Sequence, residues 1–109
     1  MENVFDHSAV YSLVNGVEYS QGAIVSKIVR KNDAGNITLF AFDKDQALSE
    51  HSAPFDAIVV VLDGEATISI DKKPYQLKSG EMIIMPATIP HAVLAKEKFK
   101  MMLIMLKNK

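Results

Sequence analysis

From Gly22 onward the sequence is cut at short intervals by Gly, Asn, Asp and Pro, and the pieces between the cuts are rich in β-branched residues. "AIVSKIVRK" (23–31) and "NITLFAF" (36–42) flank "NDAGN", whose Asn, Asp and Gly tolerate positive φ, so the two runs read as a hairpin turning at Gly35. "DAIVVVL" (56–62) is the most β-prone run of the chain. Asp63-Gly64 after it reads as a two-residue turn into "EATISI" (65–70), where Ala66, Ile68 and Ile70 alternate with Thr67 and Ser69. "DKKP" (71–74) is the next turn, "YQL" (75–77) a short strand, and Gly80 a further turn. "MIIM" (82–85) stops at Pro86, which cannot donate to a central ladder. "HAVLA" (91–95) and "FKMMLIML" (99–106) complete the set. Short strands roughly 8–12 residues apart, with turns between, predict an all-β antiparallel sandwich or barrel.

Ahead of these strands the pattern is less regular. Asp6 is placed to cap a short helix running to Ser12 or Leu13, with Val10, Leu13 and Val14 on one face. The predicted organisation is an N-terminal segment (1–22), irregular or helical, packing on the barrel or on a partner, followed by one barrel domain (23–109).

Composition narrows the function classes. The 109 residues suit one domain, with 49% apolar and 23% charged residues, as in ordinary globular proteins. A net charge of −1 and interspersed signs give no electrostatic reason to expect nucleic acid or a membrane surface as partner. With no Trp and few aromatics, a base-stacking platform is not expected either. Cysteine is absent, which excludes disulfides, a thiolate nucleophile and thiolate metal ligands. The first residues lack a charged start and an apolar core, and no apolar stretch approaches the ~20 residues of a membrane span, so a cytoplasmic location is expected.

Two histidines carry the chemical interest. His51 opens "HSAPFDAIVVVLDGEA" (51–66), and His91 follows Pro90 at the head of a strand. Read together, 51–64 and 80–95 resemble the two motifs of the cupin superfamily, small β-barrels of the jelly-roll kind. The first motif of that family runs H-x-H, three or four residues, E, six residues, G; His51 and Gly64 have the matching separation. The second runs G, five residues, P-x-G, two residues, H, three residues, N; Gly80, Pro86 and His91 fall in place. The resemblance implies a jelly-roll barrel over residues 22–106 and homodimers, which small cupins commonly form. "AIVSKIV" gives its own reason for pairing, since it is apolar on both faces.

The resemblance also implies a metal shell of three His and one Glu, and here the sequence departs from it. The four positions hold His51, Ala53, Ala57 and His91. Thr88 stands where the family often has Gly, and Ala95 where it often has Asn. A structural or catalytic metal normally needs at least three protein ligands. Asp56 and Glu50 are the nearest added candidates, but strand alternation points each away from its neighbour's face. His7 lies on a segment that the sequence does not place. The six Met residues read as core filling, and Ser8 and Ser52 lack the Gly-x-Ser-x-Gly setting of a nucleophile. His51 also has a plain reading as a solvated loop residue, and His91 as a hydrogen-bonded wall.

Three functions follow in order. The first is small-molecule binding in a barrel pocket lined by His51, His91, Ala53 and Ala57, the alanines leaving apolar space where ligands would sit. The second is a dioxygenase- or isomerase-like cupin enzyme with a depleted site, in which His51 and His91 hold a divalent metal (zinc, nickel, iron or manganese) weakly. The third is a non-catalytic structural or stress module.

Overall fold

A computed structural model describes residues 5–107. Nine strands occur among them: β1 (Ile24–Asn32), β2 (Gly35–Phe42), β3 (Ala47–His51), β4 (Asp56–Asp63), β5 (Glu65–Ile70), β6 (Lys73–Lys78), β7 (Met82–Met85), β8 (His91–Leu94) and β9 (Phe99–Leu106). They form a five-stranded sheet, β1-β2-β9-β4-β7, and a four-stranded sheet, β3-β8-β5-β6, antiparallel throughout. The alternation read from the sequence decides which side chains lie between them. On β4, Ala57, Val59 and Val61 are buried; on β5, Ala66 and Ile68; on β8, His91 and Val93. Phe42 and Phe99 are register partners at one end of the core and stack with centroids 4.7 Å apart. Each such ring contributes roughly 1.5–3 kcal/mol by leaving water.

The expected short helix does not form. Residues 5–23 are turns and irregular backbone, and Val10 is fully exposed rather than on a buried face. The bonds made there are tight turns, Asn15 N–H to the Ser12 carbonyl and Gly16 N–H to the Leu13 carbonyl, with no helical ladder. The Asp6 amide donates to the Tyr11 hydroxyl instead. Tertiary contacts override the weak capping signal. Phe5 and Val17 are buried with Leu39 and Ala41 on the outer face of the five-stranded sheet. A polar clasp holds the segment down. The Tyr19 hydroxyl donates to Asp63 (2.6 Å), and the Lys100 ammonium donates to the Val14 carbonyl (2.6 Å). The Lys98 and Lys100 ammonium groups lie 4.8 and 5.0 Å from the centre of the Tyr19 ring. Burial first, then the bond to Asp63, push the Tyr19 phenol up, so it remains a donor.

Asp63-Gly64 is not a hairpin turn. β4 belongs to one sheet and β5 to the other, so the dipeptide makes the corner where the chain changes sheets. Gly64 has φ +75°, and a Cβ there would lie 2.5 Å from the Lys98 carbonyl oxygen, so the start of β9 passes against it. A sequence turn signal reports the bend and not which strands pair across it. The hairpins are β1–β2, closed by the Asn32–Gly35 pair, and β5–β6, closed by Asp71-Lys72 with both φ positive. β3 has no counterpart among the sequence expectations. Its residues, "ALSEH", are mostly exposed on a sheet edge and lack apolar alternation.

Candidate functional site

His51 ends β3 and His91 begins β8, and the two are register partners at the edge of the four-stranded sheet. A bulge makes them so. Leu48 pairs with Val93, and an unbroken ladder would then set Glu50 opposite His91. One extra residue between Leu48 and His51 brings the imidazole there instead. The ring centroids are 4.5 Å apart, edge to face at 69°.

The two rings differ in setting. His51 is exposed, and its Nδ1 lies 2.8 Å from the Ser49 carbonyl. A carbonyl only accepts, so Nδ1 carries the proton and Nε2 of the neutral ring presents a lone pair. His91 is 5% exposed, beside Ile70 on its other flank, and its Nδ1 has no hydrogen-bond partner among the described residues. Burial holds His91 below the usual histidine range, and repulsion from His51 adds to this. The Ile89 backbone carbonyl beside the ring opposes the shift as a weak acceptor, outside the geometry of a full hydrogen bond to Nδ1. The His91 ring is therefore neutral near pH 7.

The connection after β3 frames the pair. The Ala53 carbonyl accepts from the Thr88 amide (2.7 Å), and the Asp56 carboxylate accepts from the Ala87 amide (2.8 Å). These bonds tie the β3–β4 connection to the loop that carries Pro86 and Pro90. Thr88 has φ +68°, the left-handed region that a glycine would enter without strain. Sequence alone does not mark the Ser49 carbonyl, and its signal for Thr88 is the replacement of a customary glycine.

Ala53 is half-buried on the connection, and Ala57 is buried on β4 with Met85 and Met105 as its register partners on either side. Asp56 is exposed and already bonded, and Glu50 faces Lys72 at 3.4 Å. His7 is exposed in the N-terminal segment. Among the described residues no group of three His, Cys, Asp or Glu side chains gathers at one point. Two imidazoles are short of the donor set that a resident metal takes. Two cavities stand out elsewhere, on either side of Arg30. One of about 310 Å³ lies under the N-terminal segment between Phe5, Leu13 and Leu39, and one of about 180 Å³ lies against Ile37, Ile104 and Leu106.

The two packed antiparallel sheets, β1-β2-β9-β4-β7 and β3-β8-β5-β6, place the chain in the jelly-roll class of β-barrels. Residues 38–107 match the cupin domain model, and the chain belongs to the cupin family. The conserved SPY1581 protein of unknown function from Streptococcus pyogenes is 38% identical with a TM-score of 0.93, over 98% of this chain and 94% of that one. A cupin 2 conserved barrel domain protein from Leptotrichia buccalis is 45% identical with a TM-score of 0.86, over 89% of this chain but 47% of that one. A cupin superfamily protein from Desulfitobacterium hafniense is 26% identical with a TM-score of 0.87, over 98% and 97% of the two chains. No curated protein matches the sequence. Among the described residues no helix is long and apolar enough to cross a membrane.

Proposed function

We propose that the protein binds a small molecule at the barrel edge beside the His51–His91 pair. The observation that carries this reading is the His91 imidazole: buried, inward on its strand, unpartnered at Nδ1, and set against a second imidazole with a free lone pair. Buried polar atoms are normally satisfied, so an unsatisfied one beside an exposed neighbour suits a bound ligand. The ligand chemistry that fits is a small molecule with a hydroxyl to donate to His51 Nε2 and an apolar body to lie against Ala53 and Ala57. The same imidazole pair also supports a second reading, a cupin enzyme holding a divalent metal weakly. Its two donors leave most of the coordination sphere to other ligands. In the third, the barrel is a non-catalytic module and nothing binds.

Thermal melting with a panel of small hydroxy acids, phenols and sugars tests the proposal. A compound that raises the melting temperature of the wild type, and not of His51→Ala or His91→Gln, is expected. If no compound acts through the histidines, the reading fails. Metal analysis of protein purified without an affinity tag decides the second reading: a stoichiometric metal that both substitutions remove would replace the first.

A further inference from the structure

The register sets four residues in one row across the whole four-stranded sheet: His51 on β3, His91 on β8, Ile70 on β5 and Lys73 on β6. Residues opposite each other in a ladder share a face. His91 is buried, and Ile70 packs against the core cluster that contains Ala57, so this is the inner face, and Lys73 stands on it. Tyr75 is next on the same face of β6, opposite the buried Ile68. The Lys73 ammonium lies 5.5 Å from the centre of the Tyr75 ring, which is 37% exposed. The turn that precedes Lys73 is held at both of its residues. Asp71 and Lys72 have positive φ, the Asp71 amide donates to the Pro90 carbonyl (2.8 Å), and the Lys72 ammonium meets Glu50 at 3.4 Å. Two ion pairs occur among the described residues, Lys44–Glu97 and Lys72–Glu50, and Lys73 is in neither.

We propose that the ligand beside the histidine pair is a hydroxylated carboxylic acid and that Lys73 takes its carboxylate. This assignment rests on His51 and His91 forming a ligand site, as proposed above, and adds the charge of the ligand. The row has imidazoles at one end, an ammonium at the other and an apolar side chain between them. A molecule with a hydroxyl, an apolar body and a carboxylate repeats that order. Backbones two strands apart are about 10 Å apart. The side chains of His91 and Lys73 shorten the gap, so the body is one ring or a short chain lying over Ile70. Ile70 offers no side-chain hydrogen-bonding group, so a body polar all round would leave hydroxyls unpaired there. The contact of the ammonium with the Tyr75 ring is weaker than a charge-assisted hydrogen bond, so a carboxylate draws the ammonium to itself at little cost. A single ammonium matches a single negative charge. The row holds no arginine and no second lysine to meet a phosphate dianion, and Lys72 is engaged with Glu50.

Calorimetric titration of the full chain with 4-hydroxybenzoate, 4-hydroxyphenylacetate and 3-(4-hydroxyphenyl)propionate, each against its primary amide, tests the assignment. The three acids differ in the distance from hydroxyl to carboxylate. For at least one of them the wild type is expected to bind the acid at least about tenfold more tightly than the amide. Lys73→Met is expected to bring the acid down to the affinity of the amide and to leave the amide unchanged. Lys73→Arg, which keeps the charge, is expected to retain the preference. His51→Ala is expected to weaken acid and amide alike. Lys78→Met removes a lysine from the outer face of the same strand and is expected to change nothing. Lys73 is exposed, so its replacement leaves the core intact, and circular dichroism checks each variant. Binding that needs His51 but is equal for acid and amide overturns the assignment and leaves the histidine site standing. A preference for the acid that survives Lys73→Met, or that Lys78→Met removes equally, also overturns it. So does the absence of binding through His51 by all six compounds.

Discussion

His51 and His91 face each other across the β3–β8 ladder because β3 carries one residue too many between Leu48 and His51. The bulge exchanges a carboxylate for an imidazole opposite His91, and with it the chemistry of the site. A Glu50–His91 pair would favour a charged histidine; the His51–His91 pair disfavours one.

Stability should therefore fall on mild acidification through His91. Its folded-state value is depressed, whereas in the unfolded chain it titrates near ~6.5. Below that pH the unfolded chain binds a proton that the folded chain refuses, so unfolding becomes easier as pH drops and the effect vanishes above about pH 7. Urea denaturation between about pH 7.5 and 5.5 should show a steeper loss for the wild type than for His91→Gln. Parallel curves would show that His91 titrates normally.

The alanines at the customary ligand positions should accept a metal shell. Ala53→His with Ala57→Glu adds two donors beside His51 and His91, and nickel or zinc should bind at least about tenfold more tightly than to the wild type. Ala57 is packed between Met85 and Met105, so the metal-free double variant should lose about 1–3 kcal/mol from overpacking and regain stability with metal. Calorimetric titration and melting with and without nickel read the two effects. Unchanged affinity in a folded variant would mean that these alanines do not face the histidines.

Thr88→Gly should stabilise the protein. A non-glycine residue in the left-handed region carries about 1–2 kcal/mol of strain, partly offset by the entropy that glycine adds to the unfolded chain. A net gain of about 0.5–1 kcal/mol is expected in urea denaturation. A loss instead would assign the Thr88 side chain a role in holding the loop beside the histidines.

Tyr19→Phe should loosen the N-terminal segment. It removes the donor to Asp63 at 2.6 Å, a part-buried bond to a charged group. Partial exposure discounts the loss to about 1–2 kcal/mol. Hydrogen exchange should accelerate first at the amides of residues 15–19, before the barrel amides, because the segment is fastened to the sheet by few groups. Uniform acceleration across the barrel would show that segment and barrel open together.

Reading the chain residue by residue was enough to place β4, β5, β7, β8 and β9 within a residue or so. Each is a short run of β-branched or apolar residues set off by turn or charged residues, and both signals are local. The Gly, Pro and His spacings were enough for the cupin resemblance, because a fixed register turns sequence separation into spatial separation. What followed from contacts between distant segments was decided only in three dimensions. β3 forms because β8 offers it a ladder, not because "ALSEH" prefers a strand. The N-terminal segment stays irregular because Leu39 and Ala41 bury Phe5 and Val17 more effectively than a short helix would. Asp63-Gly64 turns between sheets because β4 pairs with β9 and β7 while β5 pairs with β6 and β8, and the start of β9 then leaves no room for a side chain at Gly64. The bulge in β3 is a matter of pairing, invisible in one strand alone, and it determines which side chain meets His91.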